Sequence, residues 1–196
     1  MKLACLAAVA LLGLSAGATR ASGLFDAFHQ ACMSGDSDVA AVAAATQAPG
    51  WAPIDPASFP VIAIPSGGTI PPAPSPAAIA RAKATRDGRV QLFADQQTQP
   101  RPGQTPLKIH SCLVRIERAD PDALKQVRAW LGPDVSAAGS GNEKATIFTL
   151  LPDGAGFRLP PASFTVETLL RLRNLFVLMD DGPKPQTSIL YVFKGD

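Results

Sequence analysis

Two cysteines outlast the leader of this chain, and they set the tightest limit on what the rest can fold into. Lys2 precedes an apolar run over 3–14, and the small residues at 15–21 offer cleavage after Ala18 or Ala21, the pattern of a secretory signal peptide over 1–21. The apolar run is too short to cross about 30 Å of hydrocarbon. Cys5 sits near the start of the run instead of just after it, which argues against a lipid-anchored cysteine. It leaves with the leader, so Cys32 and Cys112 meet an oxidising compartment, where pairing is the default fate of two core-facing thiols. Their bond would close a loop of about 80 residues and contribute about 4.5 kcal/mol on the chain-entropy estimate. The expected address is periplasmic or secreted, with no membrane span after cleavage.

The chain has 196 residues, of which 46% are hydrophobic. After cleavage about 175 remain, which suits a single domain over 22–196 with a real core. Charge says little. Removing Lys2 and Arg20 takes the formal balance from +2 to zero, or to +1 if cleavage follows Ala18 and Arg20 stays. Lysine and arginine are scattered with no stripe to neutralise a phosphate backbone, and one Tyr with two Trp make no stacking platform. Nucleic acid is therefore excluded as a partner, and an unknown protein or envelope component is expected instead.

Leu24, Phe28 and Cys32 at helical spacing predict a helix over 24–33, with Ser22 as N-cap and Asp26 in its first turn. That places Cys32 on the buried stripe. An alanine-rich helix is expected over 38–46, ended by Pro49-Gly50. Nine prolines then interrupt residues 49–76, so this stretch reads as an extended Pro-rich loop, with room for one edge strand over 60–65 and polyproline II over 71–76. A PxxP ligand is the sharper meaning of the last piece and a surface linker the plainer one. A short helix is expected over 77–84.

Strands follow over 89–94 and, after a Gln- and Pro-rich loop at 96–105, over 107–117, where His110, Cys112, Val114 and Ile116 share one face. Asp120-Pro121 opens a helix with an apolar stripe of Leu124, Val127, Trp130 and Leu131, and Gly132-Pro133 ends it. A strand at 145–151, a turn at 152–156 and a return strand at 157–159 make a hairpin. Ser163 or Thr165 caps a further helical start at Val166, which ends at Arg173 before a strand over 175–179, or else continues through Met179. A last strand at 188–193 pairs back. The order predicts an α+β fold, a short and largely antiparallel sheet covered by a few helices. No internal repeat is visible.

Each histidine stands beside a cysteine. His29 and Cys32 are three apart on a helix, and His110 and Cys112 two apart on a strand, so each pair is expected to project to one side. If all four converged they would make the ligand set of a tetrahedral zinc site, and Met33 could add a soft ligand for copper. Neither spacing is a metal knuckle, and no C-x-x-C exists for redox catalysis. No cofactor is expected. Among catalytic motifs, no G-x-S-x-G, H-E-x-x-H, Walker loop or G-x-G-x-x-G is present, and Gly139-Ser140-Gly141 has no strand before it. Asp180-Asp181 before Gly182-Pro183 reads as turn chemistry, Asp120 as a helix cap and Asp153 as part of a hairpin turn.

Phe25-Asp-Ala-Phe28-His-Gln-Ala-Cys32, the short alanine-rich helix and then Gly50-Trp51 resemble the opening of small exported proteins of alphaproteobacteria whose role is uncharacterised. Cys112 on a strand, followed by Asp120-Pro121 and an amphipathic helix, is similar to the same group. The resemblance covers about 60% of the mature chain. It implies a periplasmic or secreted protein with its two cysteines paired, and it carries no activity or cofactor. A non-enzymatic binding or envelope-associated module is the preferred expectation. The alternative is a periplasmic enzyme or metal-binding protein using His29 or His110.

Overall fold

The structure, a computed structural model, describes residues 23–33, 38–59, 62–63, 69–70, 74–100, 103, 105–154, 156–161 and 172–194. In chain order the elements are α1 (Gly23–Cys32), α2 (Val39–Ala45), β1 (Trp51–Pro53), a 3-10 turn (Pro56–Ser58), β2 (Ile62–Ala63), β3 (Thr69–Ile70), β4 (Ile79–Thr85), β5 (Gly88–Gln99) and β6 (Leu107–Ile116). There follow α3 (Pro121–Leu131), α4 (Pro133–Ala137), β7 (Ser140–Gly141), β8 (Ala145–Asp153), β9 (Gly156–Arg158), β10 (Arg173–Asp180) and β11 (Gln186–Lys194).

One antiparallel sheet runs β1-β4-β5-β6-β11-β10-β8-β7, with β9 paired to β8, while β2 and β3 form a separate two-stranded ribbon. The order is mirrored about its centre. In the first half α1 precedes the meander β4-β5-β6; in the second α3 precedes β8-β10-β11; the last strands of the two halves, β6 and β11, pair with Cys112 opposite Tyr191. The sheet's edges are blunted at both ends, by β1 with its Pro53 and by β7, which is two residues long.

Period-two alternation gives each central strand two buried faces. Val90, Leu92 and Ala94 of β5, with Cys112, Val114 and Ile116 of β6, meet Leu24, Phe28 and Cys32 of α1 and Val127 and Leu131 of α3 in the larger core cluster. The intervening residues Phe93, Leu113 and Leu190 lie in one cross-strand row on the other face, where Phe59 covers them and packs on Phe93 at 5.4 Å between ring centroids. The segment 54–59 and the stretch around Ser75 thus strap the second face. Asp95, 1% exposed, holds the strap by accepting from the Ser75 N–H at 3.1 Å and from the Ser75 hydroxyl, with Gln97 donating at 3.0 Å.

The α+β expectation holds, with strands longer than expected and the sheet dominant. Residues 79–85 are strand β4, not the helix predicted over 77–84: Ala80 and Ala82 are buried while Arg81 and Lys83 alternate with them, and pairing to both β1 and β5 overrides alanine's helix propensity. The loop placed at 96–105 starts late, because β5 runs to Gln99 and pairs through Leu107. Residues 173–180 form a strand paired to β8 and β11, which excludes a helix through Met179. Helix α4 follows Gly132-Pro133 directly; the proline ends α3 and also suits the first turn of the next helix. Asp120 occupies the N-cap of α3 without a capping bond, because its carboxylate pairs with Arg118 at 3.2 Å. Within the Pro-rich loop β1 pairs with β4, and β2, within the expected 60–65 strand, pairs with β3 in the ribbon, off the main sheet. The helical start expected at 163–166 lies outside the described residues, as does much of the polyproline stretch. No described helix is long and apolar enough to cross a membrane.

Candidate functional site

Cys32 ends the buried stripe of α1, and Cys112 faces the same layer from the middle of β6. Their sulfurs are bonded, with Cα atoms 5.7 Å apart, inside the range a disulfide spans. Both residues are fully buried, so the bond ties helix to sheet across the Pro-rich loop.

The bond removes both thiolates from the four-ligand set, and the histidines do not join it. Cys32 is buried but His29 is exposed, so this pair does not project to one side as expected. A separation of three turns the helix by 300°, and that shift carries His29 out to the rim of α1. There its ring packs on Phe25 at 6.0 Å and edge-on to Trp130 at 5.7 Å, in an aromatic cluster that Phe157 completes. His110, 8% exposed, does share the Cys112 face and stacks on Phe193 at 4.9 Å. Its Nδ1 is buried with no hydrogen-bond partner among the described residues. Burial pushes the His110 imidazole below its ordinary value, Asp38 opposes this and Lys108 adds to it. Met33 packs half-buried against the core. Among the described residues no group of three or more His, Cys, Asp or Glu side chains is placed to hold a metal.

The chemically richer region is one end of the sheet, where the β4-β5 turn, the exit of β6, the start of β8 and the β10-β11 turn come together. Three cavities open there. One, of about 590 Å³, has Leu124 and Met179 among its apolar walls and Lys125, Arg128, Lys144 and Asp181 at its rim. Lys144 binds Asp181 at 2.8 Å; this hydrogen bond pushes the exposed lysine up and the exposed carboxylate down from their ordinary values. Gly182 donates its N–H to Asp180 Oδ1 at 2.9 Å, so Asp180-Asp181 serves the turn as expected. Arg128 lies over the Phe148 ring at 5.8 Å and donates to the Ser136 carbonyl at 3.2 Å.

A second cavity, also about 590 Å³, lies between the first turns of α1 and α3 and is lined by Asp26, Asp87, Asp120, Asp122, Arg86 and Arg118. Asp87, Asp120 and Asp122 have partners, the last through Lys125 at 3.0 Å. Asp87 Oδ2 accepts from the Gly23 N–H at 3.4 Å, and buried Asp120 takes Arg118. The Asp120 N–H donates to Thr187 Oγ1 at 2.8 Å, and that hydroxyl donates to the Arg118 carbonyl at 3.0 Å, which locks the β6–α3 corner to β11.

The third cavity, about 650 Å³, opens on the strapped face and is lined by Arg115, Glu117, Asp180, Lys184, Pro185 and Gln186. Arg115 is 5% exposed. Its Nη2 donates to Gln91 Oε1 and lies 3.7 Å from Glu117 Oε1, and the guanidinium sits over the Phe59 ring at 4.9 Å. Burial pushes its affinity for the proton down, with Glu117 opposing. This residue is absent from the sequence expectation. The period-two reading of β6 named only the face of His110 and Cys112; Arg115 falls on the other face, and nothing in the sequence announces that residues 54–59 lie over it. Compared with known proteins, the chain matches no family model, no curated protein and no solved structure.

Proposed function

We propose that the chain is a non-enzymatic binding or envelope-associated module of the periplasm or the secreted fraction, braced by the Cys32–Cys112 bond. The observation that carries this reading is the gathering of three charge-rimmed cavities at one end of a disulfide-tied sheet, while His29 and His110 line none of them and are occupied in ring packing. Cavities of several hundred Å³ with a few convergent polar groups suit small-molecule or chain-end recognition. A buried staple supports such a site by fixing the strands that present it. The leader-like first 21 residues and the likeness of 25–32 to exported alphaproteobacterial proteins support the address.

The test is to add the small-molecule fraction of a periplasmic extract to isotope-labelled protein and follow its backbone resonances, while mass spectrometry follows the extract. The expected result is shifts confined to the lining of the three cavities, residues 23–26, 85–87, 115–128, 143–145 and 179–186, with the bound component unchanged. Shifts around His29 or His110 instead, or conversion of the component, would overturn the reading.

A further inference from the structure

We propose that the cavity beside Arg115 is a binding site for a zwitterion bearing one carboxylate and one ammonium, as a free amino acid or a short peptide does. The inference rests on the binding-module reading and gives it a ligand class.

Arg115 stays cationic at any physiological pH, and a charge taken out of water needs a hydrogen-bonded counter-charge. Here it lacks one. The hydrogen bond of Nη2 goes to a neutral amide, Gln91, and Glu117 stands at 3.7 Å with 65% of its side chain in solvent. The Nε–H is buried with no partner among the described residues. Phe59 adds a ring face at 4.9 Å but no negative charge. The residue with this deficit lines an open cavity of about 650 Å³, a size that fits a small ligand. A planar guanidinium matches a carboxylate better than any other anion-binding side chain in a fixed setting, and the sheet and Phe59 hold this one in place.

The rest of the lining narrows the class. Lys184 supplies a second cation for the carboxylate. Asp180 and Glu117 stand at the same cavity, where they would repel a dianion such as succinate or phosphate and attract an ammonium. With two positive and two negative groups, the cavity complements a ligand with one charge of each sign. Gln186 offers an amide that can pair with either end.

The experiment is calorimetric titration of the full mature chain, disulfide intact, with four probes: alanine, dialanine, succinate and butane-1,4-diamine. Alanine or dialanine is expected to bind saturably and at least about tenfold more tightly than either symmetric ion. Whichever of the two binds better identifies the source as a free amino acid or a peptide. Arg115→Lys should weaken that binding about tenfold, because the ammonium cannot reproduce the fork. Two rim variants guard against a folding defect at Arg115. Lys184→Ala should weaken alanine or dialanine, and Asp180→Asn should lower the preference for the zwitterion over succinate about tenfold. No saturable binding of alanine and dialanine, equal or tighter binding of succinate, or an unchanged preference in Asp180→Asn overturns the proposal. If the extract shifts the sheet end but alanine and dialanine do not bind, the ligand class falls and the module reading stands. If neither binds, both fall.

Discussion

Arg115 and His110 lie on opposite faces of β6, and each is a polar group held where its surroundings only half meet it. For Arg115 the consequence is a stability cost. Replacing a buried, incompletely paired cation with an apolar side chain of similar length is often neutral or favourable. Arg115→Met is therefore expected to leave urea-unfolding stability unchanged or raise it by up to about 2 kcal/mol while abolishing ligand binding. A loss above about 1 kcal/mol would show that the Gln91 and Phe59 contacts outweigh the desolvation and that the residue is chiefly structural. For His110 the consequence is a pH dependence. Its folded-state value lies below the unfolded one, so the neutral form is preferred in the fold. Its contribution is fully present above the unfolded value near 6.5 and is lost as pH falls from there through the folded value. Denaturant midpoints taken between pH 7.5 and pH 5 should fall in the wild type and fall less in His110→Phe, which keeps the stack on Phe193. Equal slopes in the two proteins would contradict the assignment.

At the scale of elements, the β7-β8 connection depends on one backbone position. Gly141 has φ +119°, and a Cβ there would lie 1.9 Å from the Ala145 carbonyl oxygen, an atom of the paired strand that cannot swing away. Gly141→Ala should cost about 2 kcal/mol or more, measured by thermal unfolding, and a change below about 0.5 kcal/mol would mean the turn is looser than its geometry. The elements that were legible were those whose periodicity agrees with their packing. Helix α1 shows a stripe and a cap residue in the sequence, α3 a stripe, a cap residue and a stop, and β6 clean alternation. Strand β4 was not legible because Ala-Arg-Ala-Lys-Ala reads as helix by propensity, while its neighbours β1 and β5 impose the alternation. The far end of β5 was hidden for a similar reason: Asp95, Gln96 and Gln97 look like loop residues, yet Asp95 is the buried anchor for Ser75. The candidate site was the least legible part. Its lining comes from β6, β10, the β10-β11 turn and β11, and no local pattern brings those together.

For the molecule as a whole, the mirrored sheet order means that the two halves meet through β6 and β11, and the disulfide fastens the first helix to that seam. The sequence shows no repeat, although the sheet order of the two halves mirrors about the β6–β11 seam. A loop of 80 residues closed by Cys32–Cys112 makes the staple a global constraint on the unfolded chain, where long loops gain most. Replacing both cysteines with serine should lower unfolding stability by about 2–5 kcal/mol. A loss under about 1 kcal/mol would show that the sheet and its two cores hold without it. The proposed export through residues 1–21 and the bond between Cys32 and Cys112 can be tested together. Intact-mass analysis of the protein recovered from periplasm or medium, alkylated under denaturing, non-reducing conditions, tests both halves together. The expected result is a chain beginning at residue 19 or 22 that takes up no alkylating group. An uncleaved chain, or a cleaved one that alkylates at Cys32 and Cys112, would contradict it.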